Sequence, residues 1–238
     1  MHLLSLRRQM HQPKARKRRA LAKEKEMIRI SVKGLAKFMT GGPAAQRKIL
    51  RDFKFPDPEG GVQASYYSEA RRAIEEYHES QNDPATIASE VKSLSEKAYS
   101  ASGRQQVRIE HNIRALQSYL ENFGHESFKV LPTPSLSLSH RSVSVGATPD
   151  LFVRHKGNNR LIKLDLGARA PDQRLVAIVL QVIYEAARSS GLSLEPKDIL
   201  YLDVPRAKVH RSAKVRTRLK GEIEAACQNI EALWPTIR

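Results

Sequence analysis

Between Val143 and Gly167 the chain reads VSVGATPDLFVRHKGNNRLIKLDLG. Two apolar, partly alternating runs, Val143 to Val153 and Leu161 to Leu166, flank the strong turn signal Lys156-Gly157-Asn158-Asn159, so a β-hairpin is expected here. Upstream, Phe128 to Leu138 supplies a further strand, and before it Arg104 to Phe123 carries Ile109, Ile113, Leu116 and Leu120 at helical spacing, with Gly124 placed to end the helix. Downstream come a helix apolar nearly all round (about Asp172 to Ser189), a strand (Ile199 to Val204) and a last helix marked by Ile223, Cys227, Ile230 and Trp234. The order is helix, three strands, helix, strand, helix. It predicts a mixed α+β (α/β) core over residues 104–238.

The preceding part, residues 31–103, reads as helices in series. Ser31 can cap a short helix from Val32 to Met39, Gly41 and Gly42 stop it, and Pro43 opens another with the apolar stripe Ala45, Ile49, Leu50 and Phe53. The run from Phe55 to Gly61 is a loop. Tyr66, Ala70, Ala73, Ile74 and Tyr77 mark a third helix, and Ile87, Val91, Leu94 and Ala98 a fourth that Asp83-Pro84 can cap. Tyr66, Tyr67 and Tyr77 could stack on bases, but this spacing belongs more often to packing residues. The helix–break–helix unit from Ser31 to Leu50 also admits a helix-turn-helix reading, with Arg47, Lys48 and Arg51 on its second helix.

The 238 residues carry a net charge of +16, concentrated in two places. Arg7, Arg8, Lys14, Arg16, Lys17, Arg18, Arg19 and Lys23 lie in an acid-free arm within residues 1–30, which is expected to be disordered. Arg206, Lys208, Arg211, Lys214, Arg216, Arg218 and Lys220 form a second acid-free run toward the C-terminus. Outside these runs, 26 basic residues face 25 acidic ones. Two localised cationic patches on a balanced body are the electrostatic footprint of a polyanion, with nucleic acid the leading partner. A passive solubilising tail, a transit peptide or a solvated helix face would look similar.

Several classes fall away. No apolar run approaches the roughly 18 residues of a membrane helix, so no membrane partner is expected. Cys227 is the sole cysteine and lies on an apolar helical stripe, which excludes an internal disulfide and a cysteine-cage zinc site and suits a reducing compartment. A cytoplasmic protein is expected, nucleoid-associated if the cell is bacterial.

The chemistry concentrates on the hairpin. Alternation along Leu161-Ile162-Lys163-Leu164-Asp165 points Lys163 and Asp165 to one face while Ile162, Leu164 and Leu166 enter the core, and the other strand contributes Asp150. Two carboxylates and an ammonium could hold Mg²⁺ and stabilise a phosphate under attack by water. The competing reading is a surface ion pair beside a turn aspartate. On the helix after the hairpin, Gln181, Tyr184, Glu185 and Arg188 share one face and form a polar stripe.

These residues resemble the PD-(D/E)XK nuclease superfamily and its RecB-like branch. Gly146-Ala147-Thr148-Pro149-Asp150 is similar to its G-x-x-x-D or P-D element, and Gln181-Val182-Ile183-Tyr184 to its Q-x-x-Y motif. The element order is similar to the αβββαβ restriction-endonuclease-like core, with a helical N-terminal region whose usual cysteine is here Gly42. The resemblance implies a Mg²⁺- (or Mn²⁺-) dependent deoxyribonuclease. Asp150 and Asp165 would ligate the metal with help from His111 or Glu110, and Lys163 would be catalytic. Gln181, Tyr184 and Arg188 would position the strand, with Arg211, Lys214, Arg218, Arg16, Arg18 and Arg19 on its phosphates. One departure stands out: the pattern wants acid, any residue, lysine, whereas here the order is Lys163-Leu164-Asp165. Either Lys163 reaches in from the other side, or the motif has decayed and the fold only binds nucleic acid, as a subunit of a larger complex.

The charge distribution generates a prediction. Affinity for DNA should fall steeply with salt, by about 0.9 log units per log unit of salt for each phosphate contact on duplex and about 0.7 on single strands. Deleting residues 1–25 should flatten the slope; a flat dependence in the intact chain would remove nucleic acid as the partner.

Overall fold

The computed structural model describes residues 27–56 and 66–238. The basic arm, with Arg16, Arg18 and Arg19, therefore lies outside the described residues, as does most of the loop expected after Phe55. In chain order the elements are β1 (Ile28–Ser31), α1 (Val32–Thr40), α2 (Pro43–Lys54), α3 (Ser68–Glu79), α4 (Pro84–Ser100), α5 (Gly103–Phe123), β2 (Lys129–Leu131), β3 (Ser137–His140), β4 (Val143–Gly146), β5 (Leu151–His155), β6 (Asn158–Asp165), α6 (Gln173–Ser189), β7 (Ile199–Asp203), β8 (Lys208–Arg211) and α7 (Thr217–Leu233). The protein is a mixed α+β structure with two sheets.

The larger sheet has the order β2-β5-β6-β7-β8. Its centre is the expected hairpin: β5 and β6 pair antiparallel from Leu151↔Ile162 to His155↔Asn158. Lys156 and Gly157 make the two-residue turn, both at positive φ, which matches the right-handed twist of the flanking strands. β6 then pairs parallel with β7, Leu161↔Ile199 to Asp165↔Asp203, and a parallel pair requires a long crossover, supplied by α6. Asp172 caps that helix by accepting the backbone N–H groups of Arg174 and Leu175.

The second sheet, β1-β4-β3, was not legible as a separate unit. The run Phe128 to Leu138 divides into β2 and β3 because Pro132 and Pro134 cannot donate to a ladder. Val143 to Val153 divides likewise around Ala147-Thr148-Pro149-Asp150, so its halves serve different sheets. β1 corrects the arm expected over residues 1–30: Ile28↔Val143 through Ser31↔Gly146 pair in parallel, with Ile28 and Ile30 buried. The Ile-Arg-Ile alternation is short, and the charge upstream of it hid the signal. Likewise Lys208–Arg211, within the second basic run, is the edge strand β8, antiparallel to β7.

Each face of the larger sheet meets its own core. Leu161, Ile199 and Tyr201 join a cluster with α1, α6, α7 and the small sheet. Ile162, Leu164, Leu166, Leu200 and Leu202 face the opposite cluster, which holds Ala73, Ile74, Leu94, Leu116 and Tyr119 of α3, α4 and α5. Lys163 and Asp165 alternate with Ile162, Leu164 and Leu166, as the period-two reading requires. Among the described residues no helix is long and apolar enough to cross a membrane.

Two histidines connect this packing to pH. His78 is buried between Asn82 Oδ1 (2.8 Å) and the Tyr119 hydroxyl (2.6 Å), and burial pulls its pKa below 6.5 despite Asn82 and Glu126. Burial lowers His155 too, against the pull of Glu126 at 3.0 Å. The unfolded chain therefore takes up these protons first as pH falls. Stability from both groups should be complete above about pH 6.5 and decline below it, down to their folded-state values. Chemical denaturation from pH 7.5 to 5 should find this loss, and His78→Gln should flatten it; an unchanged slope in that variant would contradict the assignment.

Candidate functional site

Asp150 stands where β5 begins, directly across from Lys163. Its N–H donates to Ile162 O (2.8 Å), and its Oδ2 accepts the Leu164 N–H at 2.7 Å. The carboxylate is thus fixed by the backbone of the strand it faces. Lys163 Nζ lies 3.1 Å from Asp150 Oδ1 and also donates to Thr148 O at 3.1 Å. Both side chains are nearly closed to solvent, at 13% and 7% exposure. Burial lowers the pKa of Lys163; Asp150 raises it, and the neighbouring Arg71 and Lys33 lower it further.

Asp165 sits one pleat further along β6. Its Oδ1 lies 3.3 Å from Lys33 Nζ of α1, and its Oδ2 accepts the Tyr201 hydroxyl at 2.7 Å. Tyr201 is opposite Lys163 on β7 and buried, and its pKa is pushed up by burial and by the carboxylates Asp165, Asp203 and Asp150. Lys33 Nζ also stands 5.8 Å from the Tyr201 ring centroid. Next in the row, the buried Asp203 holds Arg206 at 2.9 Å, and Arg206 donates to Ala168 O, tying down the turn that follows Asp165.

The helical region closes the other side. Arg71 Nε of α3 lies 3.1 Å from Asp150 Oδ1. The start of α3 is anchored by the buried Asn112, which accepts the Ala70 N–H at 3.1 Å and donates to Tyr66 O at 2.7 Å. Tyr66 and Tyr67 pack edge to face at 5.0 Å. The Tyr67 pKa is raised by burial, then by Tyr66 and Asp165, while Arg114 and Arg71 oppose this.

Asp150, Lys163 and Asp165 therefore converge in one charged cluster, joined by Lys33, Arg71 and Tyr201. The last three had escaped sequence reasoning. Lys33 is 132 residues from its partner, and nothing in its helix distinguishes it from a solvated lysine. Tyr201 was within reach, because parallel pairing of the third strand with the fourth sets Lys163 and Tyr201 side by side. His111 and Glu110 are engaged elsewhere: His111 Nδ1 is 2.7 Å from the Tyr66 hydroxyl, and Glu110 accepts Gln106 Nε2 at 3.2 Å. Among the described residues no three His, Cys, Asp or Glu are close enough to hold a metal ion.

The polar stripe on α6 faces the start of α7. Gln181 and Glu185 are buried, at 4% and 7% exposure. Gln181 Nε2 donates to Glu185 Oε1 at 2.8 Å, and its Oε1 accepts the Arg216 N–H at 3.1 Å, just before α7. Gln181 thus anchors the backbone of the basic segment. Tyr184 is half-buried against the first core, and Arg188 is exposed. Arg211 and Lys214 are exposed, and Arg218 pairs with Glu222 at 3.1 Å on the first turn of α7.

The oxygen-only donors of the two aspartates are of the type a hard divalent cation takes, but Asp150 is already engaged by Lys163, Arg71 and the Leu164 N–H. The aspartates offer only oxygens, and Mg²⁺ needs one or two carboxylates while keeping several waters. Asp165 uses two of roughly four lone-pair sites on Lys33 and Tyr201. No protein-family model matches the chain, and no curated protein matches it.

Proposed function

We propose that the protein is a Mg²⁺-dependent nuclease acting on DNA, built on a restriction-endonuclease-like core. The observation that carries this reading is the convergence of Asp150, Asp165 and Lys163 at adjacent strands of one mixed sheet. The succession α5, β2, β5, β6, α6, β7, with two antiparallel pairs followed by one parallel pair, supports the αβββαβ assignment. Two acid-free basic runs support a polyanionic substrate. A cytoplasmic, nucleoid-associated location would follow from such a substrate in a bacterial cell.

Asp150 and Asp165 would hold Mg²⁺ or Mn²⁺, which supplies Lewis-acid polarisation of a phosphoryl oxygen and a bound water of lowered pKa. The chain's own groups perform the remaining tasks. Lys163 and Lys33 place ammonium groups beside the two carboxylates, where negative charge develops on the phosphate. Tyr201 fixes the Asp165 rotamer through its hydroxyl. Arg211, Lys214 and Arg218 hold the strand on a segment that Gln181 anchors.

One observation favours a second reading, a catalytically inactive nucleic-acid-binding subunit of a larger complex. Asp150 already faces two cations, Lys163 and Arg71, and the Lys163-Leu164-Asp165 order departs from the pattern of the resembled family. The two readings part in a cleavage assay on labelled single- and double-stranded DNA and RNA with Mg²⁺, Mn²⁺ or EDTA. Metal-dependent cleavage of DNA is expected. Asp150→Asn and Asp165→Asn should each abolish it, and Lys163→Ala should slow it about 10²-fold or more, as loss of a transition-state charge donor does. Asparagine is preferred to alanine at 150 because it keeps an oxygen for the buried Lys163, which alanine would leave with Thr148 O alone. Absence of cleavage under all metal conditions by a folded wild type would overturn the nuclease reading in favour of the second.

A further inference from the structure

The cluster carries one more charge than its carboxylates need. Lys33, Arg71 and Lys163 supply three cations against Asp150 and Asp165, counting each in its charged form. Arg71 is the least well used of the three. Its Nε approaches Asp150 Oδ1 at 3.1 Å but off the hydrogen-bond axis, so this buried nitrogen has no hydrogen-bond partner among the described residues. Nor do its two terminal nitrogens enter any of the described hydrogen bonds or ion pairs. A buried donor without an acceptor is destabilising, and native structures hold few of them.

The side chain is nevertheless held in place. Asn112 pins the first turn of α3 to α5, which brings Arg71 over the start of β5. Its guanidinium charge is felt at both Lys163 and Tyr67. Arg114 adds an exposed cation near Tyr67. A planar fork with spare N–H groups, set beside two ammonium groups, matches the paired oxygens of a phosphate better than it matches one carboxylate oxygen.

We propose that Arg71 is the phosphate-gripping residue of this site, taking the non-bridging oxygens of a nucleic-acid phosphodiester between its guanidinium and the ammonium groups of Lys163 and Lys33. This rests on the reading of the cluster as a phosphodiester site. It adds the residue that binds the phosphate and requires that residue to be arginine. The helical region thereby contributes to the site directly.

The test uses the full chain, EDTA to prevent cleavage, and a labelled DNA tetramer as probe. Arg71→Gln should weaken binding about tenfold or more and lower the salt slope by roughly 0.7, the share of one phosphate contact on a single strand. Arg71→Lys should recover only part of the affinity, because it keeps the charge and loses the fork. A tetramer with neutral methylphosphonate linkages supplies the control: against it, Arg71→Gln should make no further difference. Equal affinity of wild type and Arg71→Gln for the natural tetramer would overturn the proposal, as would full rescue by lysine, which would reduce Arg71 to a point charge. If Arg71 served only to neutralise Asp150, the glutamine variant would change the melting temperature and leave binding and slope untouched. A wild type that binds in this Arg71-dependent way but never cleaves would defeat the nuclease reading alone.

Discussion

The structure turns on Asp150 and its contact with the strand opposite. One carboxylate joins the two strands twice, accepting the Leu164 N–H with one oxygen and facing Lys163 with the other. Taking two charges out of water costs several kcal/mol per ion unless the remaining polar atoms are also bonded. Here the backbone N–H of Leu164 and the carbonyl of Thr148 complete the set. The pair thus specifies register more than it adds stability: a slip of one residue would turn Lys163 to the other face and set it in an apolar core among Tyr119, Leu116 and Ile74.

From that register the rest of the cluster follows. Parallel pairing with β7 sets Tyr201 beside Lys163 and Asp203 beside Asp165. Burial of both sheet faces leaves the charged residues of this row little solvent, so each is answered by another side chain: Lys33 from α1, Arg71 from α3, Arg206 from the turn after β7. The two helical layers therefore do more than cover the sheet. Each delivers a cation to one of the aspartates, and the cluster as a whole keeps a positive surplus suited to an anion.

Much of this was legible in the sequence where the signal was local. The Lys156-Gly157 turn, the alternation that separates Lys163 and Asp165 from Leu164, and the apolar crossover helix all depend on neighbours within a few residues. The two-sheet arrangement was not, because Pro132, Pro134 and Pro149 interrupt runs that otherwise read as single strands, and pairing of β1 with β4 spans more than a hundred residues. Lys33 and Arg71 were silent for the same reason. Gln181 shows the opposite difficulty: its motif spacing was visible, but the partner that gives it a task, the backbone of Arg216, comes from the far end of the chain.

The proposed nuclease function requires that Asp150 and Asp165 together hold one divalent cation. Titration of Mn²⁺ into the full-length protein, followed by the electron paramagnetic resonance of the free ion, measures this without reference to cleavage. The account predicts one bound Mn²⁺ per chain, displaced by Mg²⁺ and lost in the Asp150→Asn/Asp165→Asn double variant. Equal Mn²⁺ uptake by wild type and double variant, or none by a folded wild type, would contradict it.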